Sequence, residues 1–229
     1  MARTDINRQK SRLADLLISA GIDINEVDIN RLVRYSELIL EWNNKAGLVS
    51  KNDINHILER HVYESLLLSL AEELKGRIRL LDIGSGAGLP GIPLNIWNSG
   101  IKLVLVESNR KKSLFLKYAA GELGLADTEI ITSRIEDLSD NADLVQSFNI
   151  VTGRALAPLK QLLNWSEPFL APDGMGKCLF PKGSRITEEA HEVEKHKWNL
   201  KETDLSDHIQ RPSTTGKVFV VVCAVLTNT

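Results

Sequence analysis

The sequence predicts an α/β fold: an open, mostly parallel sheet that ends in an antiparallel hairpin and is preceded by a helical extension. Three observations carry this. The apolar run Ile78 to Ile83 stops at the alternating glycines Gly84, Gly86 and Gly88, the strand, tight turn and helix start of a nucleotide-binding sheet. Strand-like and helix-like stretches then alternate as far as Pro181. Beyond them, Asn199 to Leu205 and Lys217 to Leu226 read as strands with no helix between, which implies an antiparallel addition.

At 229 residues the chain can hold one such domain and a modest extension, expected as 76–229 and 1–75. The 43% hydrophobic and 25% charged content is ordinary for a soluble globular protein. No apolar run reaches membrane-spanning length and the first ten residues are polar, so a cytoplasmic protein without a membrane partner is expected, as a monomer. Cys178 and Cys223 stand far apart in apolar stretches and read as buried small hydrophobes. His191 and His196 are five apart, off a common helix face, so no metal site is expected. A net charge of −2 argues against coating nucleic acid through bulk charge, while leaving room for a local basic patch.

Within the extension, Leu13, Leu16, Leu17 and Ala20 recur at helical spacing and stop at Gly21, a natural C-terminal cap. A longer helix follows, with Val27, Leu32, Tyr35, Leu38, Ile39 and Trp42 on one side and its end near Gly47. A third, leucine-rich helix is expected from about Asp53 to Leu74. This unit is either a structural cap on the sheet or an arm that recruits substrate.

The first strand then delivers Asp82 and the glycines. Gly86, Gly88 and Gly91 also satisfy the dinucleotide pattern G-x-G-x-x-G, and Pro90 suits the start of the following helix. Asp82, expected at the strand tip facing the cleft, would repel a pyrophosphate and attract a ligand carrying an ammonium and a sulfonium. The second strand, Lys102 to Val106, ends in Glu107, 23 residues after Gly84, placed to accept hydrogen bonds from both ribose hydroxyls of an adenosine. That feature alone does not choose between dinucleotide enzymes and methyltransferases.

Arg110, Lys111 and Lys112 open the next helix against its macrodipole, a conflict that binding a polyanion would rationalise and a solvated face would leave standing. Thr128 to Thr132 reads as the third strand, with Ser133 to Asp137 after it able to meet an adenine edge. Phe148 to Thr152 is the fourth, leaving Gly153, Arg154 and Ala155 at the tip where ligands bind in such sheets. A helix from Pro158, a fifth strand from Met175 to Pro181 flanked by Lys177 and Lys182, and an exposed charged helix over 186–197 complete the reading. A turn over Arg211 to Gly216 joins the hairpin strands.

The pattern Asp82-x-Gly84-x-Gly86-x-Gly88, with Glu107 downstream and the terminal hairpin, resembles a class I S-adenosylmethionine-dependent methyltransferase with its Rossmann-like sheet. More narrowly, the chain resembles the RsmG/GidB family, bacterial methyltransferases that act on guanine N7 in the 530 loop of 16S rRNA. The pieces that carry this are Asn44 to Ser50, His61 to Ser65, Gly84 to Pro93 and Glu107-Ser108-Asn109-x-Lys111. Ser133 to Glu136, Thr152 to Ala155, Lys177 and Lys182-Gly183 complete them. The family commonly has aspartate where this chain has Glu64 and Glu107, and phenylalanine at Leu89. The resemblance implies S-adenosylmethionine as cofactor and 16S rRNA or the small ribosomal subunit as partner. It assigns cofactor contacts to Gly84, Leu89, Glu107, Ser108, Asn109, Ile135, Glu136 and Arg154, which Asp82 and Gly86 join on the electrostatic and backbone argument above.

Guanine N7 has a free lone pair and no proton, so its methylation needs orientation and exclusion of water but no general base. Arg154 is then the candidate catalytic residue, through guanine O6 or the methionine carboxylate, unless it is simply paired with a nearby acid. Arg134 is a second candidate for a similar role. Lys111, Lys112, Lys177 and Lys182 are candidate RNA contacts, with solvated strand or helix ends as the alternative. An NAD-dependent oxidoreductase is the competing enzyme class. Asp82, the antiparallel tail and the lack of a Tyr-x-x-x-Lys (Ile39, Leu67 and Glu122 follow the three tyrosines) stand against it. A non-catalytic RNA-binding module is the third reading, disfavoured by the near-neutral charge.

Overall fold

A computed structural model describes residues 3–172, 174–208 and 220–226. Helix α1 (Arg3–Ser19) buries Leu13, Leu16 and Leu17 and ends at Gly21, whose φ of 71° is the left-handed cap expected there. Helix α2 (Glu26–Ala46) starts at Asn25, whose side chain accepts from the Asp28 N–H at 2.9 Å, with Glu26 and Asp28 favourably placed in the first turn. It ends at left-handed Gly47. Leu32, Tyr35, Leu38 and Ile39 are fully buried, but Val27 is 69% exposed. Five residues before Leu32, Val27 lies about 140° around the helix and cannot share its face.

The third helix expected over 53–74 is not uniform. A π-helical stretch (Ile57–Val62) leads into the short α3 (Tyr63–Leu66), followed by 3-10 turns at Leu67–Leu70 and Glu72–Leu74. Leu66, Leu67 and Leu68 are all fully buried, which consecutive residues of a helix lying on a surface cannot be.

Strand β1 (Ile78–Ile83), helix α4 (Gly91–Trp97), strand β2 (Ile101–Val106), helix α5 (Arg110–Glu122) and strand β3 (Thr128–Ile131) form the first half of the sheet. The second half is β4 (Ile150–Thr152), α6 (Leu159–Ser166), β5 (Lys177–Lys182), α7 (Ile186–His191), β6 (Trp198–Asp204) and β7 (Val220–Leu226). The strand order is β3-β2-β1-β4-β5-β7-β6, parallel through the first five. β7 runs antiparallel between β5 and β6. The direction of winding reverses between β1 and β4, so a crevice opens at their C-terminal ends. The turn expected over Arg211–Gly216 and the first residues of the last strand lie outside the described residues. The charged helix expected over 186–197 is shorter, α7 alone, with Ile186 and Val193 buried.

Alternation along β1 sends Leu80 to one face and Leu81 and Ile83 to the other, and two cores result. One face packs on Phe148, Leu162, Leu163, Phe169 and Phe180. On the other, Leu80, Leu103 and Leu105 share a single cluster with Leu13, Leu16 and Leu17 of α1 and with Leu32, Leu38 and Ile39 of α2. The N-terminal helices and the sheet therefore bury the same apolar surface. Leu13→Ala is expected to destabilise the chain by about 2–5 kcal/mol. In urea, tryptophan fluorescence and circular dichroism should follow one shared transition, shifted as a whole, rather than early loss of the N-terminal helices alone.

Candidate active site

The crevice is floored by the turn between β1 and α4. Gly84, Gly86 and Gly88 have φ of 63°, 58° and 90°, a left-handed succession that side chains with a Cβ rarely adopt. Gly91 opens α4 so close to the strand that a Cβ would fall 2.8 Å from Asp82 Oδ2. At Gly84 it would fall 2.6 Å from Leu156 Cδ2, for Leu156 of the loop after β4 lies on the turn.

Three side chains from three elements hold this backbone. Asp82 Oδ2 accepts from the Gly91 N–H at 2.9 Å. Glu107, just beyond β2, accepts from the Gly86 N–H at 2.8 Å and from the Asn109 N–H at 2.7 Å. Tyr35 of α2 donates its hydroxyl to the Ala87 carbonyl at 2.6 Å. Beneath them Ser85 donates to the Asp82 carbonyl, and its own N–H bonds Val106.

Asp82 is thus not at the mouth of the crevice, as its strand-tip position suggested, but fully buried under the turn. Its Oδ1 has no hydrogen-bond partner among the described residues. Burial raises its pKa from 3.8 to about 7; the Gly91 bond opposes this and the charge of Glu107 adds to it. Glu107 is buried too, and both of its oxygens already serve backbone N–H groups, each keeping a lone pair for a second donor. Leu89 is half-buried beside the turn and Ser108 is exposed. Asn109 caps α5, accepting from the N–H groups of Lys111 at 2.9 Å and Lys112 at 3.3 Å. Ile135 is buried and Glu136 exposed in the short turn after β3.

At the tip of β4, Arg154 is paired rather than free. It meets Glu64 Oε2 at 2.8 Å and His61 Nδ1 at 2.9 Å, and donates to the His61 carbonyl at 3.3 Å. Burial lowers its pKa to about 10, against the opposing pull of Asp53 and Tyr35, so it is cationic at neutral pH. Asp53 accepts from Ser50 and Arg60, both at 2.7 Å; burial opposes its ionisation, but these bonds hold its pKa below the ordinary value. The π-helical stretch and α3 after it therefore bring His61 and Glu64 to the sheet tip, with no periodic signal in the sequence to announce it. Tyr35 was equally hidden, since it occupies an apolar position of α2.

Other candidates fall elsewhere. Arg134 is exposed in the loop after β3, and β2 and β1 lie between β3 and β4, the strand that carries Arg154. Lys177 begins β5 at the end of the sheet away from the crevice and pairs with Glu73 at 3.3 Å. Lys182 is at the crevice end but only 10% exposed, ion-paired with Glu189 at 2.5 Å and donating to the Ala157 carbonyl. Glu189 in turn accepts from the Leu159 N–H at 2.7 Å, so this pair fastens the loop after β4. Lys111 is exposed and Lys112 half-buried at the start of α5.

The raised pKa of Asp82 fixes a pH dependence. Its folded value lies above its unfolded one, so its contribution to stability is complete below about pH 4 and is lost as pH rises through 7, a cost of roughly 4 kcal/mol at most. Asp82→Asn keeps an acceptor for Gly91 without the charge. Thermal melts of the ligand-free protein should show it more stable than the parent at pH 8, by roughly 5 °C, and little different at pH 4.

The family profile described as rRNA small subunit methyltransferase G (GidB) matches residues 28–211. A Ribosomal RNA small subunit methyltransferase G of Sorangium cellulosum is 39% identical over 181 residues, 79% of this chain and 74% of the relative. That of Alkaliphilus oremlandii is 33% identical over 175 residues, 76% and 72% of the two chains. Among solved structures, a predicted O-methyltransferase of Agrobacterium tumefaciens aligns with a TM-score of 0.58 at 17% identity, over 72% of this chain and 81% of that one. TYW2 of M. jannaschii in complex with AdoMet aligns with a TM-score of 0.53 at 14% identity, over 75% and 77%. At such identities the likeness is one of fold, the class I methyltransferase sheet. The relatives match along most of their own length as well as this chain's, and the chain belongs to the GidB family, rRNA small subunit methyltransferase G.

Proposed function

We propose that this chain is an enzyme that transfers a methyl group from S-adenosylmethionine to N7 of a guanine in the 530 loop of 16S rRNA, acting in the cytoplasm as a monomer. In this reading 76–229 is the catalytic domain and 1–75 an extension that completes its cleft. The carrying observation is the left-handed glycine turn, pinned by Glu107 and underlain by a buried carboxylate, one oxygen of which has no partner among the described residues. Among the described residues no helix is long and apolar enough to cross a membrane.

The turn residues Gly84, Gly86 and Leu89 would hold the cofactor, with Glu107, Ser108 and Asn109 on its ribose and Ile135 and Glu136 at the adenine. When bound, S-adenosylmethionine supplies a cationic methyl donor with a neutral leaving group. Asp82, in surroundings of low dielectric, favours positive charge above the turn over a diphosphate. The remaining lone pairs of Glu107 accept from two ribose hydroxyls without releasing Gly86 or Asn109. Arg154 carries five N–H donors; three are engaged by His61 and Glu64, and two are left among the described residues for guanine O6 or a carboxylate. N7 needs no base, so the task of Arg154 is to fix the acceptor or the donor in line. The exposed start of α5, with Lys111 and half-buried Lys112, is where phosphate would lie. A-form major grooves are too deep for side chains, so the guanine has to come from a loop or distorted segment.

Tritiated methyl transfer to ribosomes from a strain lacking the gene tests this. The label is expected in 7-methylguanosine of 16S rRNA, and Arg154→Ala is expected to lower kcat by about 10²-fold. Calorimetry is expected to show S-adenosylhomocysteine bound and NADH ignored; the reverse result would overturn the reading. Because the ionised form of Asp82 is the one that attracts the ammonium, affinity for S-adenosylhomocysteine is expected to rise from pH 6 to 8 and then level off. A flat profile would remove Asp82 from cofactor binding.

A further inference from the structure

The turn that binds the cofactor is built from residues with wide backbone freedom, and its fixed shape comes from outside it. Asp82 and Glu107 hold its N–H groups at Gly91 and Gly86. The carbonyl of Ala87, between two left-handed glycines, is held from the other side of the cleft by the N-terminal unit, through Tyr35. Tyr35 sits on the buried face of α2, one turn from Leu32 and Leu38, with no exposed surface, and its hydroxyl donates to the Ala87 carbonyl from within that packing. Burial, with the nearby charge of Asp82, raises its pKa well above the ordinary value, so it is a donor at neutral pH.

We propose that Tyr35 is a positioning residue for cofactor affinity, and that through it the N-terminal helices and the cofactor site are thermodynamically coupled. The proposal rests on the reading of the glycine turn as the S-adenosylmethionine site. Without the hydroxyl, a buried carbonyl loses its donor and the turn spreads over conformers among which the binding-competent one is a fraction; affinity falls by that fraction. The chemical step, which Tyr35 does not touch, keeps its rate once the site is filled. Coupling is reciprocal, so filling the site also protects α2.

The test is Tyr35→Phe in the full chain, which removes one oxygen and leaves the ring packing intact. Calorimetry is expected to give a Kd for S-adenosylhomocysteine about 10-fold higher than the parent's. KM for S-adenosylmethionine should rise similarly, while kcat at saturation and KM for RNA stay within two-fold. Hydrogen exchange on the unmutated protein provides a second arm that does not depend on the variant folding: S-adenosylhomocysteine is expected to slow amide exchange in 26–46. A variant Kd within two-fold of the parent, or no protection of α2 when the ligand is bound, would overturn the coupling. Failure of the parent itself to bind the thioether would strike the cofactor reading first, and this inference with it.

Discussion

A backbone chosen for its freedom has to be held still before it can recognise anything, and here the holding is done by hydrogen bonds from buried side chains. Gly84, Gly86 and Gly88 leave the chain between β1 and α4 with few intrinsic preferences, and fixing such residues carries a large entropic cost. Glu107 offsets part of that cost twice over, joining the turn after β1 to the turn after β2 through one carboxylate. Asp82 does the same for the first residue of α4, at the expense of burying a carboxylate that has, among the described residues, one hydrogen-bond partner. A carboxylate so placed is under tension between charge and burial, and a pKa near neutrality expresses it. Much of the rest of the crevice can be read as scaffolding for these bonds. The parallel register of β1 with β2 and β4 lines up Asp82, Leu105 and Thr152, and so sets Glu107 and Arg154 on either side of the turn.

The N-terminal helices belong to this scaffold. Their apolar faces merge with one side of the sheet, and their polar groups reach two places where the crevice would otherwise be loose: the Ala87 carbonyl and the Arg154 guanidinium. An arginine buried in this manner is costly unless its charge is matched, and Glu64 and Asp53 match it. The result is a cation held beside the tip of β4 by a segment whose helical winding changes from π to α within a few residues.

Much of this was legible in the sequence because its cause is local. The run Ile78 to Ile83, the alternating glycines, the acid at the end of the next apolar run and the helix-free final strands all follow from period and turn chemistry. They correspond to β1, the turn, Glu107 and the β6–β7 pair. What was not legible depends on who the neighbours are. The depth of Asp82, the pairing of Lys182 with Glu189 and the distance of Lys177 from the crevice are set by packing and by which end of a strand a residue occupies. A lysine at either end of a strand looks the same in one dimension. Tyr35 shows the limit most plainly: its spacing marked it correctly as a core residue, and nothing in that spacing records that its oxygen reaches a carbonyl 52 positions away.

The placement of β7 has a consequence for how the nascent chain matures. β5 and β6 are made first, yet neither can pair with the other, because the strand that separates them follows both in the sequence. A chain that lacks β7 therefore leaves the edge of β5 open, and unprotected strand edges invite pairing errors. β6 is poorly suited to fill the gap in error, since Lys201, Glu202 and Asp204 line it with charge and leave most of it in water even in the finished fold. The β-branched β7 pairs with both neighbours at once.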